Sequence, residues 1–254
     1  MRRLITIPIS HFCEKARWAL ERAGLDYREE RHVQGIHQLA ARRAGGGETV
    51  PVLVAEDGVH AESEDILRYA DRHLAPEERL FPEDDGEVVA LARSFDEGLG
   101  PEGRRVMYAR MFPQRELLLR CNNQGVPRWE DRVLRVAWPL VTRIVARALD
   151  ITEEGVGRDT ERVRRTFDEV AERLSDGRPH LCGERFTAAD LTFAALAAPA
   201  IVPPEYGVSL PQPDELPVEL GELVRGFRAH PAGVYALSLY RTERRRKVLD
   251  RGNP

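Results

Sequence analysis

The sequence predicts an α/β unit over about the first 75 residues, followed by a long all-α segment. Three observations carry that prediction. Short β-branched runs alternate with helix-period stretches as far as Leu74. A segment rich in Pro, Asp and Glu, residues 76–86, then interrupts the pattern. Beyond it, apolar residues recur mainly at helical spacings. The expected organisation is one domain over 1–75, a linker over 76–86 and an all-helical domain over 87–254.

Leu4-Ile5-Thr6-Ile7 reads as the first strand. A helix follows over 13–23, with Phe12, Ala16, Ala19, Leu20 and Ala23 on one face and Gly24 as its stop. Residues 27–33 read as a second strand, and 36–43 as a helical or irregular stretch. Gly45-Gly46-Gly47 breaks the chain before Val50-Pro51-Val52-Leu53-Val54, which the Asp57-Gly58 turn pairs with Val59-His60-Ala61. Ser63 is the expected N-cap of a helix with Ile66, Leu67, Ala70 and Leu74 on one face. The crossovers require some parallel strands, and the hairpin an antiparallel pair.

Past the linker, helices are expected over 88–124 with a break near 98–103, then over 129–149, 160–175, 188–197 and 219–227, with a last one after Pro231. Pro139 should kink the helix that contains it. Six prolines between Pro199 and Pro217 predict an extended loop. Thr187 and Asp190 form a capping box, and Phe186 can staple against Leu191.

At 254 residues and 42% apolar content, the chain can bury a substantial core. Its longest apolar run, 191–202, is too short to span a bilayer, and Thr6, Pro8 and Ser10 interrupt any signal-peptide core. The expected setting is the cytoplasm, with no membrane partner. A net charge of −4 gives no general attraction to nucleic acid, and Arg241, Arg244, Arg245, Arg246 and Lys247 read as a solvated helix end. Cys13, Cys121 and Cys182 are odd in number and widely separated, which argues against a disulfide framework. The seven histidines show no metal-ligand spacing, so no metal is expected.

Ser10-His11-Phe12-Cys13 is the stretch that promises chemistry. It lies where a strand hands over to a helix, so a hydroxyl and the first-turn N–H groups converge where the dipole favours an anion. Ser10, Cys13 or neither handles that charge. Cys13 is either a low-pKa thiol or one packed inertly under the helix. His11 is either a surface residue or a neighbour that tunes the charge. Pro51 marks either an edge strand or a cis-proline bend that frees the Val50 backbone to pair with an extended ligand. Glu62-Ser63 offers a carboxylate for an ammonium and helix N–H groups for a carboxylate, unless Ser63 only caps.

Together these pieces resemble a known family. Ser10-His11-Phe12-Cys13-Glu14-Lys15-Ala16-Arg17-Trp18-Ala19-Leu20, Thr49-Val50-Pro51-Val52-Leu53 and Glu62-Ser63-Glu64-Asp65-Ile66-Leu67-Arg68-Tyr69 are similar, in order and spacing, to the three blocks of a glutathione S-transferase N-terminal domain. Phe186-Thr187-Ala188-Ala189-Asp190-Leu191 resembles the capping box and staple of that family's C-terminal domain.

The resemblance implies a thioredoxin-like domain followed by an α-helical bundle domain. It also implies glutathione as co-substrate, a small hydrophobic electrophile as second substrate, and a homodimer. Carried over, Ser10 falls at the activating position, which omega-like and glutaredoxin-like relatives fill with cysteine. Val50, before a cis-Pro51, would pair with the cysteinyl backbone of glutathione. Glu62 and Ser63 would hold its γ-glutamyl end, and His37 would reach its glycyl carboxylate, with Phe12 alongside. The second substrate's site is expected from Met107, Tyr108, Met111, Phe112 and Tyr206. Two other readings stay open: a Cys13-dependent reductase or deglutathionylating enzyme, and a non-catalytic ligand-binding protein of the same fold.

Overall fold

In the computed structural model, which describes residues 1–244, β1 (Arg2–Thr6) leads through α1 (His11–Arg22) to β2 (Tyr27–Arg31), parallel to it. Then α2 (Ile36–Arg43) returns the chain to β3 (Val52–Ala55), antiparallel to β1, and the turn at Asp57 adds β4 (Gly58–His60). The sheet order is β2-β1-β3-β4, and α3 (Ser63–Asp71) packs beside α1. Leu4 and Leu53 from the sheet, Ala16 and Leu20 from α1, and Ile66, Leu67 and Ala70 from α3 share one core. This is the α/β arrangement that the alternating pattern predicts.

The Val50–Pro51 peptide is cis, and β3 begins only at Val52. Because β3 lies between β1 and β4, a ladder proline there would leave a missing donor inside the sheet. The chain avoids this by keeping Pro51 outside the strand, so the edge-strand alternative does not hold. The N-cap of α3 is Glu62, and Ser63 is the helix's first residue.

The helical part comprises α4 (Gly86–Glu97), α5 (Leu99–Met111), α6 (Arg115–Asn122), α7 (Arg128–Ala148), α8 (Glu153–Arg173), α9 (Ala188–Ile201), α10 (Val218–Ala229) and α11 (Pro231–Thr242). α9 is its axis, contacted by α1, α4, α5, α10 and α11. Enclosed on every side, α9 is apolar all round and shows no amphipathic face. The capping box is present: Asp190 Oδ2 accepts from the Thr187 N–H at 2.7 Å and from its hydroxyl at 2.9 Å.

At three places in this part a partner or cap sets how the helix runs. Pro199 does not end α9, which runs to Ile201; Arg228 supplies donors to the carbonyls of Ile201 and Val202, and the loop starts only there. Pro139 does not break α7. The Arg135 carbonyl that Pro139 leaves without a helical donor accepts from Arg115 Nη2 at 2.9 Å. α8 starts at Glu153 rather than at 160, because Thr152 caps the Gly155 N–H at 3.1 Å and two glutamates complement the first turn.

One further expectation is corrected. Arg244, read as part of a solvated helix end, has a side chain only 7% exposed. It donates to Glu14 at 2.8 Å and pairs with Glu21, while Arg241 is exposed. Arg245, Arg246 and Lys247 lie outside the described residues. Among the described residues, no helix is long and apolar enough to cross a membrane, and no cluster of three His, Cys, Asp or Glu could hold a metal ion.

Arg244 belongs to a buried ionic cluster centred on Arg17. The Arg17 guanidinium donates to Glu29 at 2.8 Å, to Glu14 at 3.3 Å, and to the carbonyls of Ile7 and Pro8 at 3.4 and 3.1 Å. It thereby holds the turn between β1 and α1 from beneath. Removing one partner of a buried network leaves uncompensated charge, which costs about 3–5 kcal/mol. Arg17→Met is therefore expected to lower the urea midpoint by that equivalent at unchanged slope. Arg93→Met, which removes an exposed pair with Glu97, should leave the midpoint where it is.

Candidate functional site

Ser10 is the N-cap of α1, with extended backbone angles and Oγ accepting from the Cys13 N–H at 3.3 Å. A hydroxyl that accepts there keeps its own proton for another acceptor. The first N–H groups of α1 have no helical carbonyl to bind. Ser10, His11 and Phe12 line a cavity of about 200 Å³ between the start of α1, the Val50 turn, α5 and the segment after α9.

Eight of the expected residues meet in this cavity: Ser10, Phe12, His37 and Val50 from the α/β part, and Met107, Tyr108, Met111 and Tyr206 from the helical part. Cys13, Pro51, Glu62, Ser63 and Phe112 are not in its lining. Phe112 stands behind it, stacked on Tyr108 with ring centroids 5.1 Å apart. Ser63 is buried at the start of α3, and Glu62 is exposed. Partial burial of the otherwise exposed Glu62 carboxyl, with Asp65 and Asp96 nearby, raises it against the opposing pull of Lys15.

Cys13 is fully buried, and burial pushes its thiol up despite Arg17 and Ser10. Of the two readings of Cys13, its burial and raised thiol favour the one packed inertly under α1, outside the cavity's lining and beside Ser10.

His11 is not a surface residue. It is 4% exposed, and its Nε2 lies 3.0 Å from the Gly100 carbonyl. A carbonyl can only accept, so the ring proton sits on Nε2. Burial and then the charge of Arg104 lower its pKa to about 3, keeping the imidazole neutral. Gly100 is needed at that contact, because a Cβ there would stand 2.6 Å from Phe12 Cζ. His37 is likewise lowered by burial. Its Nδ1 accepts from the Gly35 N–H at 3.1 Å, which leaves an Nε2 donor for a ligand.

The tyrosines are engaged. Tyr206 donates to the Ile9 carbonyl at 3.0 Å, and Tyr108 accepts from Gln34 Nε2 at 3.1 Å. Burial raises both phenols, Tyr206 by far the more. Other lining residues were not singled out by sequence reasoning, notably Ile9, Thr49, Arg104, Cys121, Leu210 and Leu216, although Arg104 and Leu210 lie in the helix and loop expected to line the site. Most are generic apolar groups without a signal. Arg104 did carry one: it precedes Met107, Tyr108 and Met111 by three, four and seven residues, which puts a cation on their face of α5.

Residues 4–78 match the family model described as glutathione S-transferase, N-terminal domain, and residues 145–220 match glutathione S-transferase, C-terminal domain. Among solved structures, the chain is similar to a glutathione S-transferase from Xanthobacter autotrophicus Py2 at 18% identity and a TM-score of 0.60, covering 94% of this chain and 91% of the other. It is similar to one from Ceriporiopsis subvermispora in complex with glutathione at 16% identity and 0.64, covering 95% and 97%. A third, from Methylobacterium radiotolerans JCM 2831 in complex with glutathione sulfonate, shares 21% identity at 0.53, covering 93% and 94%. Among the curated proteins compared, none matches.

The buried neutral His11 makes stability depend on pH. Its folded pKa lies below the ordinary imidazole value of 6.5. Below 6.5 the unfolded chain gains a proton that the folded chain refuses, so stability present above that value is lost as pH falls toward the folded pKa. Between about pH 7 and about pH 5 this amounts to about 2 kcal/mol. Urea midpoints at those two values should show that loss in wild type, and His11→Asn should abolish most of the difference.

Proposed function

The chain belongs to the glutathione S-transferase superfamily, and from that premise we propose that it activates the thiol of glutathione for attack on a small hydrophobic electrophile. The observation that carries the reading is that Ser10, at the N-terminus of α1, and Val50 line one cavity with an apolar wall from α5. Residues 1–75 would bind glutathione, and 87–254 would supply the wall for the second substrate. Val50 would pair with the cysteinyl backbone, His37 Nε2–H would meet the glycyl carboxylate, and Glu62 and Ser63 would take the γ-glutamyl end outside the enclosed cavity. The solved relatives with glutathione or glutathione sulfonate support the ligand. Membership also supports a homodimer in the cytoplasm.

The energetics are sufficient. Lowering the thiol from about 8.5 to about 6.5 needs about 2.7 kcal/mol of preference for the thiolate. A hydroxyl donor to an anion contributes about 1.5–3 kcal/mol and the helix terminus about 0.3–1. Ser10 and α1 therefore reach the requirement. Neutral His11 neither repels nor neutralises the thiolate, and Cys13 does not compete for it.

The thiolate absorbance of bound glutathione tests the assignment. Ser10→Ala should raise the bound thiol's pKa by about one to two units and lower kcat/KM at neutral pH about tenfold or more. Cys13→Ala should leave that pKa unchanged. An unshifted thiol in Ser10→Ala would overturn the role of Ser10, and loss of thiol turnover in Cys13→Ala would restore the reductase reading. Absence of glutathione binding would favour a non-catalytic protein.

A further inference from the structure

We infer that Arg104 is the docking cation for an acidic group on the second substrate, so that this site selects apolar electrophiles bearing a carboxylate. The inference rests on the transferase reading above and narrows its substrate class. Arg104 lines the cavity from α5, and its Nε is sealed from solvent with no hydrogen-bond partner. Among the described residues, no carboxylate stands within ion-pair distance of it.

Its neighbours on α5 are treated differently. Arg105 makes a bidentate pair with Asp159 at 2.6 and 2.9 Å, and Arg110 donates to the Val106 carbonyl at 3.2 Å. Apart from Arg105, which is already paired with Asp159, the titratable groups that feel its charge are the imidazole of His11, held neutral, and the phenol of Tyr108, held protonated. Neither supplies a negative charge. A guanidinium taken largely out of water without a counter-charge costs several kcal/mol. Such a cost is offset when a ligand brings the missing anion, and the planar fork matches a carboxylate through two parallel bonds.

The position favours the second substrate over glutathione. Arg104 shares its helix face with Met107, Tyr108 and Met111, across from the entry of α1. Apolar surroundings strengthen the attraction for an anion while offering the rest of the electrophile a hydrophobic seat.

A chlorodinitrobenzoic acid and its methyl ester are suitable probes, since they share the reacting carbon and differ in charge. In turnover the glutathione sulfur bonds to the chlorine-bearing ring carbon, chloride leaves with the C–Cl electron pair, and the thiol proton passes to solvent. Binding is measured first, by calorimetry on the full chain without glutathione. Wild type should bind the acid about tenfold or more tightly than the ester. Arg104→Met should erase that preference, and Arg104→Lys should retain part of it. Equal affinity for acid and ester in wild type, or an undiminished preference in Arg104→Met, would overturn the inference. So would displacement of the acid by unreactive S-methylglutathione, because Arg104 would then hold a carboxylate of glutathione. Absence of chloride release by wild type with glutathione would sink the transferase reading while leaving the binding result to decide the role of Arg104.

Discussion

The ionic cluster around Arg17 is the constraint on which the rest of the structure depends. Arg17 is 1% exposed and spends its donors on two carboxylates and on the carbonyls of Ile7 and Pro8, immediately before the Ser10 turn. Glu14 is fully buried one turn away, and it also accepts from Arg244 and from the Gly207 N–H at 3.1 Å. Glu29 ties the same cluster to β2 and to Thr6 and Arg31. One network thus joins β1, α1 and β2 to the end of the helical part. Buried charges of this kind contribute little net stability against an apolar alternative. Their directional bonds do fix how the Ser10 turn is presented, which a greasy contact in the same place would leave loose.

That placement matters because the chemistry available to the turn is spare. His11 is neutral and committed to Gly100, Cys13 is sealed under α1 with its thiol pushed up, and the Tyr206 hydroxyl donates to the Ile9 carbonyl. What the turn itself presents to an anion is the Ser10 hydroxyl and the open N–H groups of α1. Both are dipoles fixed before the ligand arrives, so they stabilise developing charge without reorganising.

Much of this was legible in the sequence, for identifiable reasons. The α/β order, the Asp57-Gly58 hairpin and the Thr187–Asp190 box follow from local patterns that the tertiary structure respects. What the sequence does not show is the distant partner that repairs a local defect. Arg228 caps the end of α9 beyond Pro199, and Arg115 answers the carbonyl orphaned by Pro139. The same holds for charge: Arg17, Lys15 and Arg244 look like surface cations in sequence, and only the fold supplies the carboxylates that let them go inside. At the site, Ser10 and Val50 were visible because their backbone roles are local. His11 was not, because its burial depends on the close approach of α5 at Gly100.

The cavity has no wall of its own in either half of the chain, so its shape is only as firm as the contacts between the halves. These combine a shared apolar core, in which Trp18 of α1 packs on Phe186 and Tyr240, with directional polar bonds. Lys15, 1% exposed, holds Asp96 at 2.7 and 2.9 Å across α1 and α4; burial lowers the lysine and raises the aspartate. His11 bonds Gly100, Tyr206 bonds Ile9, and Gln34 bonds Tyr108 and Asn122. Each joins a residue at or beside the α1 turn or the β2–α2 loop to a helix or loop that lines the cavity. That arrangement gives a mostly hydrophobic pocket a defined geometry, with the Ser10 hydroxyl on one side and the α5 face on the other.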